Sequence, residues 1–287
     1  MRKRLITTTV PQLQTPLPLD VYLTDRFTYF NTEQWHQEIS AGKISLNGEV
    51  ETNPAVILFG GAILSYDGSA IVEPEVDDNI AILYQDDFFI AVNKTGNLPV
   101  HPSGRYFNHT LTAILEDRCG CKVYPAHRID RETSGVILLA FAGAQVNALA
   151  SALAKGSKEY LALVHGIFPE GETRIDLPLG PDRGSPVAKK RRAGPGGTET
   201  AITRFYYVLT DGEISLIRCF PETGRLHQIR AHLEAAGFPI VGDKLYGRAP
   251  DAFLDFIRHG FTDELRARLV LPRSALHAAS LVFRHPK

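Results

Sequence analysis

The feature that most constrains this chain is a charged turn that runs directly into an apolar segment. Residues 127–134 read His-Arg-Ile-Asp-Arg-Glu-Thr-Ser, Gly135 follows them, and residues 136–140 are all apolar. A short apolar run after a turn is typical of a buried strand, and turns on rigid elements often hold reactive side chains. Asp130 lies near arginines that keep a carboxylate ionised, so it is a candidate catalytic residue. A solvated turn with surface ion pairs is the alternative.

The composition is that of an ordinary globular protein. Hydrophobic residues make up 44% of the 287 residues and charged residues 22%, and this length is enough for two domains. No apolar stretch approaches the roughly 20 residues of a membrane helix, so no membrane partner is predicted. The cysteines are odd in number, Cys119, Cys121 and Cys219. This number favours a reducing cytoplasm, and two thiols alone do not predict a metal site.

The net charge of −1 conceals a division along the chain. Residues 19–78 hold eleven acidic and two basic residues, a net charge of −9, whereas residues 79–287 carry +5. A polyanion would therefore bind to the second region. The predicted organisation is a flexible tail over residues 1–18, a small domain over 19–72, an acidic linker over 73–79 and a larger domain over 80–287.

Local patterns predict the elements of the small domain. Residues 32–39 are predicted as a helix that carries Trp35 and Ile39. Residues 44–50 alternate apolar and polar around an Asn-Gly pair, which is a hairpin signal. Residues 56–64 are predicted as another short strand.

The larger domain mixes strands and helices without regular βαβ alternation, which predicts an α+β fold on a mixed or antiparallel sheet. Predicted strands, rich in β-branched and aromatic residues, cover residues 80–84, 88–92, 136–140, 160–164, 201–209 and 214–220. Predicted helices cover residues 111–118, 143–154, 226–236, 251–258 and 263–268.

Residues 181–197 are rich in Pro and Gly and fit no packed element. They contain four consecutive basic residues, Lys189, Lys190, Arg191 and Arg192. The segment is predicted to be a mobile basic loop that contacts phosphate. The alternative is a solvated loop whose charge only favours solubility.

The turn at residues 127–135 closely resembles the catalytic motif of the RluA-type pseudouridine synthases, His-Arg-Leu-Asp-x-x-Thr-Ser-Gly, with Ile129 in place of Leu. The resemblance covers about residues 80–287. It implies the family fold, a long curved sheet that is mixed but mainly antiparallel and is flanked by helices. Further segments match the family in the same order, at residues 89–96, 158–166, 223–232, 239–247, 276–278 and 283–286.

The resemblance also implies roles for individual residues. Asp130 would be the catalytic carboxylate, Arg225 the arginine that pairs with it, and Tyr160 the aromatic residue against the uracil ring. Arg128 would fill the gap left by a flipped nucleotide, whose extrusion costs a few kcal/mol. Arg230 would be a second cation for the pocket or for phosphate.

The motif histidines, His127, His227 and His232, are interpreted as positioning residues. Isomerising uridine to pseudouridine involves no redox or phosphoryl step, and the chain has no dinucleotide-binding, Walker or zinc-protease motif. We therefore expect neither a cofactor nor a metal.

The small domain has a resemblance of its own. Residues 39–48 are similar to the small α/β RNA-binding domain first seen in a small-subunit ribosomal protein, which often precedes RluA-type catalytic domains. The negative charge of this region opposes binding to phosphate. A packing or partner-binding module is therefore an equal alternative.

The sequence thus predicts a cofactor-independent RNA pseudouridine synthase that acts as a monomer in the cytoplasm. Large-subunit ribosomal RNA ranks ahead of transfer RNA, because the accessory domain is common among ribosomal members. One alternative is a catalytically silent RNA-binding or ribosome-assembly protein on the same fold. The other is an unrelated hydrolase with an aspartate nucleophile, which would leave the remaining motifs unexplained.

Overall fold

The computed structural model describes residues 4–27 and 30–287. The chain divides into two compact units, and each unit is made of two separate segments of the chain. The first unit takes the residues up to Glu75 together with His101–Ile114, and the second takes Val76–Val100 and Leu115–Lys287. A segment predicted to belong to the larger domain therefore folds with the smaller one.

The first unit is built on a four-stranded antiparallel sheet with two helices. The strands of this sheet lie in the order β1-β6-β3-β4, and β2 and β5 pair separately. Its elements are β1 (Leu5–Thr9), β2 (Leu17–Pro18), α1 (Leu19–Arg26), α2 (Thr32–Ser40), β3 (Ile44–Leu46), β4 (Glu49–Glu51), β5 (Ile57–Leu58) and β6 (Ile63–Asp67).

Two predictions for this unit are confirmed. Helix α2 begins after Asn31, whose side chain accepts from the backbone N–H of Gln34 in a capping box, and it buries Trp35 and Ile39. The hairpin turns at Asn47, which has a φ of 51°, because an Asn-Gly pair accepts the positive φ values that tight hairpin turns require.

Three other predictions for this unit are wrong. The expected tail contains strand β1, which pairs with β6 along its whole length, because Leu5–Thr9 is rich in the β-branched residues that favour strands. The expected strand over residues 56–64 is split into β5 and β6. In the expected linker, the Glu73 carboxylate accepts backbone N–H groups from Phe107 and His109 at 2.6 and 2.9 Å, so its start is bound within the first unit.

The second unit is organised around a nine-stranded sheet. Its strands lie in the order β12-β15-β16-β11-β17-β10-β8-β7, with β9 paired to β10. Only the β10–β17 pair is parallel among the described strands. Helix α3 (Leu111–Cys119) begins in the first unit and ends in the second. The other elements are β7 (Ala81–Gln85), β8 (Phe89–Lys94), β9 (Tyr124–Pro125), β10 (Ser134–Ala140), α4 (Gly143–Ala154), β11 (Ser157–His165), β12 (Glu172–Asp176), β13 (Leu179–Pro181), β14 (Arg191–Ala193), β15 (Ile202–Thr210), β16 (Ile214–Pro221), α5 (Gln228–Ala235), α6 (Ala252–His259), α7 (Asp263–Leu269) and β17 (Leu276–Val282).

The core of this unit follows from strand alternation. Ala162 and Val164 of β11 are buried with Ile217 of β16 and with Ile229 and Leu233 of α5. Successive side chains of a strand point to opposite faces, so the alternate residues of β11 and β16 form one apolar face on which α5 packs.

The charged turn enters the sheet at Gly135. Gly135 pairs with Ala278 of β17 on one side and Lys94 of β8 on the other. It has a φ of +113°, and a Cβ at this position would lie 2.2 Å from the carbonyl oxygen of Ala278. Only glycine fits such a close approach, so the turn is fixed directly to the middle of the sheet.

The expected mobile loop over residues 181–197 is wrong in part. Strand β14 pairs with β13 and makes a short antiparallel hairpin of Leu179–Pro181 with Arg191–Ala193. Local composition missed this hairpin because its contacts are distant in sequence, with the backbone N–H of Arg191 donating to the Tyr246 hydroxyl at 2.8 Å.

Among the described residues, no helix has the length and apolar character needed to cross a membrane.

Candidate active site

Asp130 lies in the turn that precedes β10, with its side chain about a quarter exposed (25%). The backbone N–H of Thr133 donates to the carbonyl oxygen of Asp130 at 3.2 Å and closes the turn. One carboxylate oxygen, Oδ2, accepts from Nη1 of Arg230 at 2.7 Å. The other oxygen, Oδ1, has no hydrogen-bond partner among residues 4–27 and 30–287, so it is available to a substrate.

Arg230 is held by a second carboxylate. Its Nε donates to Oδ2 of Asp243 at 2.6 Å and its Nη2 to Oδ1 at 2.9 Å. The Asp243 side chain is fully buried. Burial opposes the ionisation of Asp243, but the charge and hydrogen bonds of Arg230 outweigh it and hold the pKa below its usual value. A two-bond guanidinium–carboxylate pair is directional, so Asp243 fixes the donor that Arg230 presents to Asp130.

The pairing expected for Arg225 is wrong. Arg225 is exposed, and its Nε donates to the carbonyl oxygen of Thr200 at 3.1 Å. The physical reason is the start of helix α5, which was predicted at residue 226 but begins at Gln228, because His227 has a φ of 57°. Arg230, expected only as a second cation, is the partner of Asp130.

Tyr160 lies on β11 beside a break in the pairing of β11 with β17, between Glu159 and Tyr160. Burial raises the pKa of its phenol to about 12, and the charge of Asp130 adds to this shift. The structure therefore places Tyr160 within electrostatic reach of Asp130 as a protonated phenol. Irregularities of this kind re-aim side chains and are frequent next to active sites.

Lys94 holds the turn from one side. Its Nζ donates to the carbonyl oxygens of Thr95 and Leu98 at 2.8 Å each and of Arg131 at 3.1 Å. Burial lowers the pKa of Lys94 to about 7, although the charge of Asp130 acts in the opposite direction. Because Arg131 follows Asp130 directly, this lysine fixes the backbone at the candidate carboxylate.

Glu132 holds the turn from the other side. Its Oε1 accepts from Nζ of Lys244 at 2.8 Å, and its Oε2 accepts from the backbone N–H of Ser274 at 3.0 Å. The Lys244 side chain is only 3% exposed, so this is a buried ion pair. The two residues that follow Asp130 are thus bound to the scaffold, while one oxygen of Asp130 has no hydrogen-bond partner among the described residues.

Two of the motif histidines make hydrogen bonds typical of positioning residues. Nε2 of His127 accepts the backbone N–H of Leu138 at 3.2 Å, and burial lowers the pKa of His127 to about 4, with a smaller contribution from the charge of Lys158. His232 bonds to Thr203 Oγ1 and to the carbonyl oxygen of Leu177. Both act on the backbone or side chains of neighbouring strands and loops.

The four basic residues of the hairpin are not equivalent. Lys190 pairs with Glu234 at 2.9 Å, and Arg191 pairs with Glu199 at 3.0 Å. Lys189, Arg192 and the predicted wedge Arg128 are exposed. Only part of the expected basic surface is therefore open to solvent.

Within the described ranges, 4–27 and 30–287, no group of three or more His, Cys, Asp or Glu side chains could hold a metal ion. The charged side chain that binds Asp130 is the guanidinium of Arg230, with the imidazole of His227 nearby.

Comparison with known proteins decides the family. Residues 88–235, which include Asp130, Tyr160 and Arg230, match the family model described as RNA pseudouridylate synthase. The chain belongs to this family. The predicted resemblance to RluA-type synthases is confirmed, as is the mixed, mainly antiparallel sheet flanked by helices.

The chain covers a different share of each of its relatives in this family. It is 31% identical to the tRNA pseudouridine(32) synthase, mitochondrial, of Saccharomyces cerevisiae over 79% of this chain and 50% of that protein. It is also 31% identical to the ribosomal large subunit pseudouridine synthase D of Vibrio cholerae, over 98% of this chain and 87% of that protein. The chain thus spans about half of the yeast relative.

A solved structure shows the same fold. Human RNA pseudouridylate synthase domain containing 1 superposes with a TM-score of 0.55 at 25% identity, over 72% of this chain and 79% of that one.

Four residues of this site were not recognised from the sequence, although the family motifs around them were. Lys94, Glu132, Asp243 and Tyr246 were not assigned roles, although all lie in the motif segments. A signal was present at Lys94, a lone charge at the end of an apolar strand. Asp243 and Tyr246 could be found only from the tertiary contacts that they make with Arg230 and His227.

Proposed function

We propose that the protein isomerises uridine to pseudouridine in RNA, without a cofactor, with Asp130 as the catalytic carboxylate. The observation that carries the proposal is the carboxylate of Asp130, which Arg230 binds on one oxygen only and which remains partly exposed. Family membership supports the reaction class, and the geometry supports the assignment of the residue.

The isomerisation needs an ionised carboxylate that is oriented towards the nucleotide. In the isomerisation the bond between N1 and C1′ breaks, the base turns, and a bond between C5 and C1′ forms. C5 loses a proton and N1 gains one, so atoms and electrons balance without an oxidant. Arg230 binds Oδ2 and orients the carboxylate of Asp130, and the free Oδ1 acts on the nucleotide.

Tyr160 contributes a ring surface to the uracil in this proposal. Its raised pKa, about 12, keeps the phenol protonated near neutral pH. Stacking of a base on an aromatic side chain is worth about 1–3 kcal/mol, which helps to offset the cost of extruding the nucleotide.

In this proposal the exposed basic side chains contact the RNA. We propose that Arg128 fills the space of the flipped nucleotide and that Lys189 and Arg192 contact phosphates. In this proposal Arg225, which does not bind Asp130, also acts as an exposed cation, while Lys190 and Arg191 mainly hold the hairpin. Large-subunit ribosomal RNA is the favoured substrate, since the chain spans 87% of the Vibrio ribosomal enzyme and only 50% of the yeast tRNA enzyme.

We also propose a cytoplasmic monomer. The free cysteines Cys119, Cys121 and Cys219 support a reducing compartment. Light scattering of the purified protein checks the oligomeric state, and a stable dimer at micromolar concentration would contradict it.

The test compares the wild type with D130N on total cellular RNA. Pseudouridine is mapped by carbodiimide-dependent reverse-transcription stops. The wild type should create at least one new stop and D130N none, while RNA affinity stays within a few-fold because phosphate contacts dominate it. The matched control is D176N, which removes an equally charged but half-exposed carboxylate on β12 and should keep full activity.

Two outcomes would count against the proposal. Substantial turnover by D130N would remove Asp130 from the catalytic role. No new stop with the wild type on any RNA would favour the catalytically silent RNA-binding protein.

A further inference from the structure

His227 stands at an unusual backbone position beside the candidate carboxylate. It is the residue before helix α5 and has a φ of 57°, a left-handed conformation that is strained for a residue other than glycine. Its Nε2 lies 3.9 Å from Oδ1 of Asp130. That oxygen is the one that Arg230 leaves free. Strain of this kind often marks a functional position.

The position of the proton on His227 follows from its other contact. The backbone N–H of Arg191 donates to the hydroxyl oxygen of Tyr246 at 2.8 Å. The same hydroxyl lies 2.9 Å from Nδ1 of His227. A backbone amide can only donate, so it occupies a lone pair of the hydroxyl and leaves the hydroxyl hydrogen available to Nδ1 as an acceptor. A neutral imidazole with an accepting Nδ1 carries its hydrogen on Nε2.

Burial keeps the imidazole neutral. It is the largest of the causes that together lower the pKa of His227 to about 4; the charges of Asp130 and Asp243 act in the opposite direction, and those of Arg230 and Arg191 act in the same direction as burial. The ring therefore faces Asp130 as a neutral donor and adds no second positive charge to compete with Arg230.

Tyr246 is held rigidly enough to set this orientation. Its side chain is fully buried, and burial raises its pKa far above the usual range, so the hydroxyl stays protonated. The guanidinium of Arg230 lies over the ring at 4.7 Å and the ammonium of Lys190 at 5.4 Å. These two cations and the two contacts of the hydroxyl hold the ring beside His227.

We propose that Tyr246 and His227 are positioning residues, in which the tyrosine hydroxyl holds the imidazole with its Nε2–H directed at the free oxygen of Asp130. At 3.9 Å the N–H and Oδ1 do not form a hydrogen bond, so Oδ1 stays unengaged until the nucleotide arrives. A movement of about 1 Å then brings the pair to a normal hydrogen-bond distance and fixes the plane of the carboxylate. The inference rests on the proposed catalytic role of Asp130.

Steady-state kinetics test the chain of contacts. Y246F should lower kcat about tenfold and change KM less than twofold, because the pairing of β13 with β14 and the Lys190–Glu234 ion pair still hold the hairpin when the hydroxyl is lost. The matched control is Y66F, which removes a hydroxyl that donates to Glu38 at 2.6 Å from another buried tyrosine, in the first unit. Its kcat should stay at the wild-type value. Equal kcat values for the two variants would overturn the proposal.

A pair of amide variants tests the donor itself. The amide nitrogen of H227Q reaches the place of Nε2, whereas that of H227N ends near the place of Nδ1. H227Q should therefore retain several-fold more kcat than H227N. Equal kcat values would show that no donor is needed at Nε2. This pair does not alter the buried tyrosine, so it carries the test should Y246F fail to fold.

Imidazole ¹⁵N spectra of the full chain report the tautomer of His227 directly. A purely structural role for Tyr246 would leave that tautomer unchanged in Y246F. The signals of His227, identified by their loss in H227N, should show the Nε2–H form and no titration above about pH 5. In Y246F they should show mixed tautomers and a higher pKa.

The two proposals fail differently in these spectra and assays. An Nδ1–H form, or titration near pH 6.5 in an active wild type, overturns this inference alone. An Nε2–H form in a protein that modifies no RNA overturns the proposed function and leaves the tautomer assignment in place.

Discussion

Asp243 and Asp130 bind opposite ends of one guanidinium, that of Arg230, yet their surroundings differ. Asp243 is fully buried and accepts two bonds from Arg230 and the backbone N–H groups of Leu245 and Tyr246 at 2.9 Å each. Asp130 accepts one bond from Arg230 and is 25% exposed. A carboxylate whose lone pairs are all engaged supports the structure, and one with a free oxygen can react.

The largest expected effect is a difference in protein stability between variants of the two carboxylates. D243N leaves Arg230 buried against an uncharged partner, and removing one member of a buried pair costs about 3–5 kcal/mol. D130N should change the free energy of unfolding by less than about 1 kcal/mol, since a partly exposed site is screened by water. Urea denaturation of both variants measures the difference. Equal losses would show that Asp130 also supports the structure.

A second prediction concerns acid stability and tests whether the turn depends on a neutral histidine. The pKa of His127 is lowered to about 4 in the folded state, against about 6.5 when unfolded. The unfolded chain therefore binds more protons between these values, and this contribution to stability is present above pH 6.5 and is lost as the pH falls to 4. The loss amounts to about 3 kcal/mol.

The variant H127Q isolates this effect, because its amide oxygen can accept the backbone N–H of Leu138 and does not titrate. Denaturation at several pH values should show the wild type losing stability relative to H127Q below pH 6.5. Parallel pH curves would mean that His127 is protonated without cost, and the acid sensitivity would then belong to carboxylates such as Asp243.

The smallest expected effect concerns the basic residues of the hairpin and the salt dependence of RNA binding. K189S/R192S removes two exposed cations, and each lost phosphate contact should reduce the slope of log K against log salt by about 0.7–0.9. The control R26S/K43S removes the same charge from the acidic region and should leave the slope unchanged. Filter binding at several salt concentrations measures both, and identical slopes would show that the hairpin does not contact RNA.

Local sequence patterns predicted what depends on local physics. The apolar run after the charged turn became strand β10, and the capped segment after Asn31 became helix α2. Asp130 was singled out as a candidate carboxylate by the charged turn before a buried strand together with the resemblance of residues 127–135 to the RluA-type motif. In each case the determining residues lie within a few positions of one another.

What escaped prediction depends on distant contacts. The choice of Arg230 over Arg225 follows from the backbone of His227, which no periodicity reveals. The hairpin of β13 and β14 is anchored by Tyr246 and Glu234, which lie more than forty residues away in sequence. Strand β1 is the exception, since its run of β-branched residues was a local signal that the nearby prolines obscured.

The contact between the hairpin and Tyr246 has an evolutionary consequence. The donor at position 191 is a main-chain amide, which every amino acid except proline supplies. Side chains along the hairpin can therefore be exchanged while the tyrosine keeps its bond. The surface of the hairpin and the contacts around Asp130 can thus diverge independently within one scaffold.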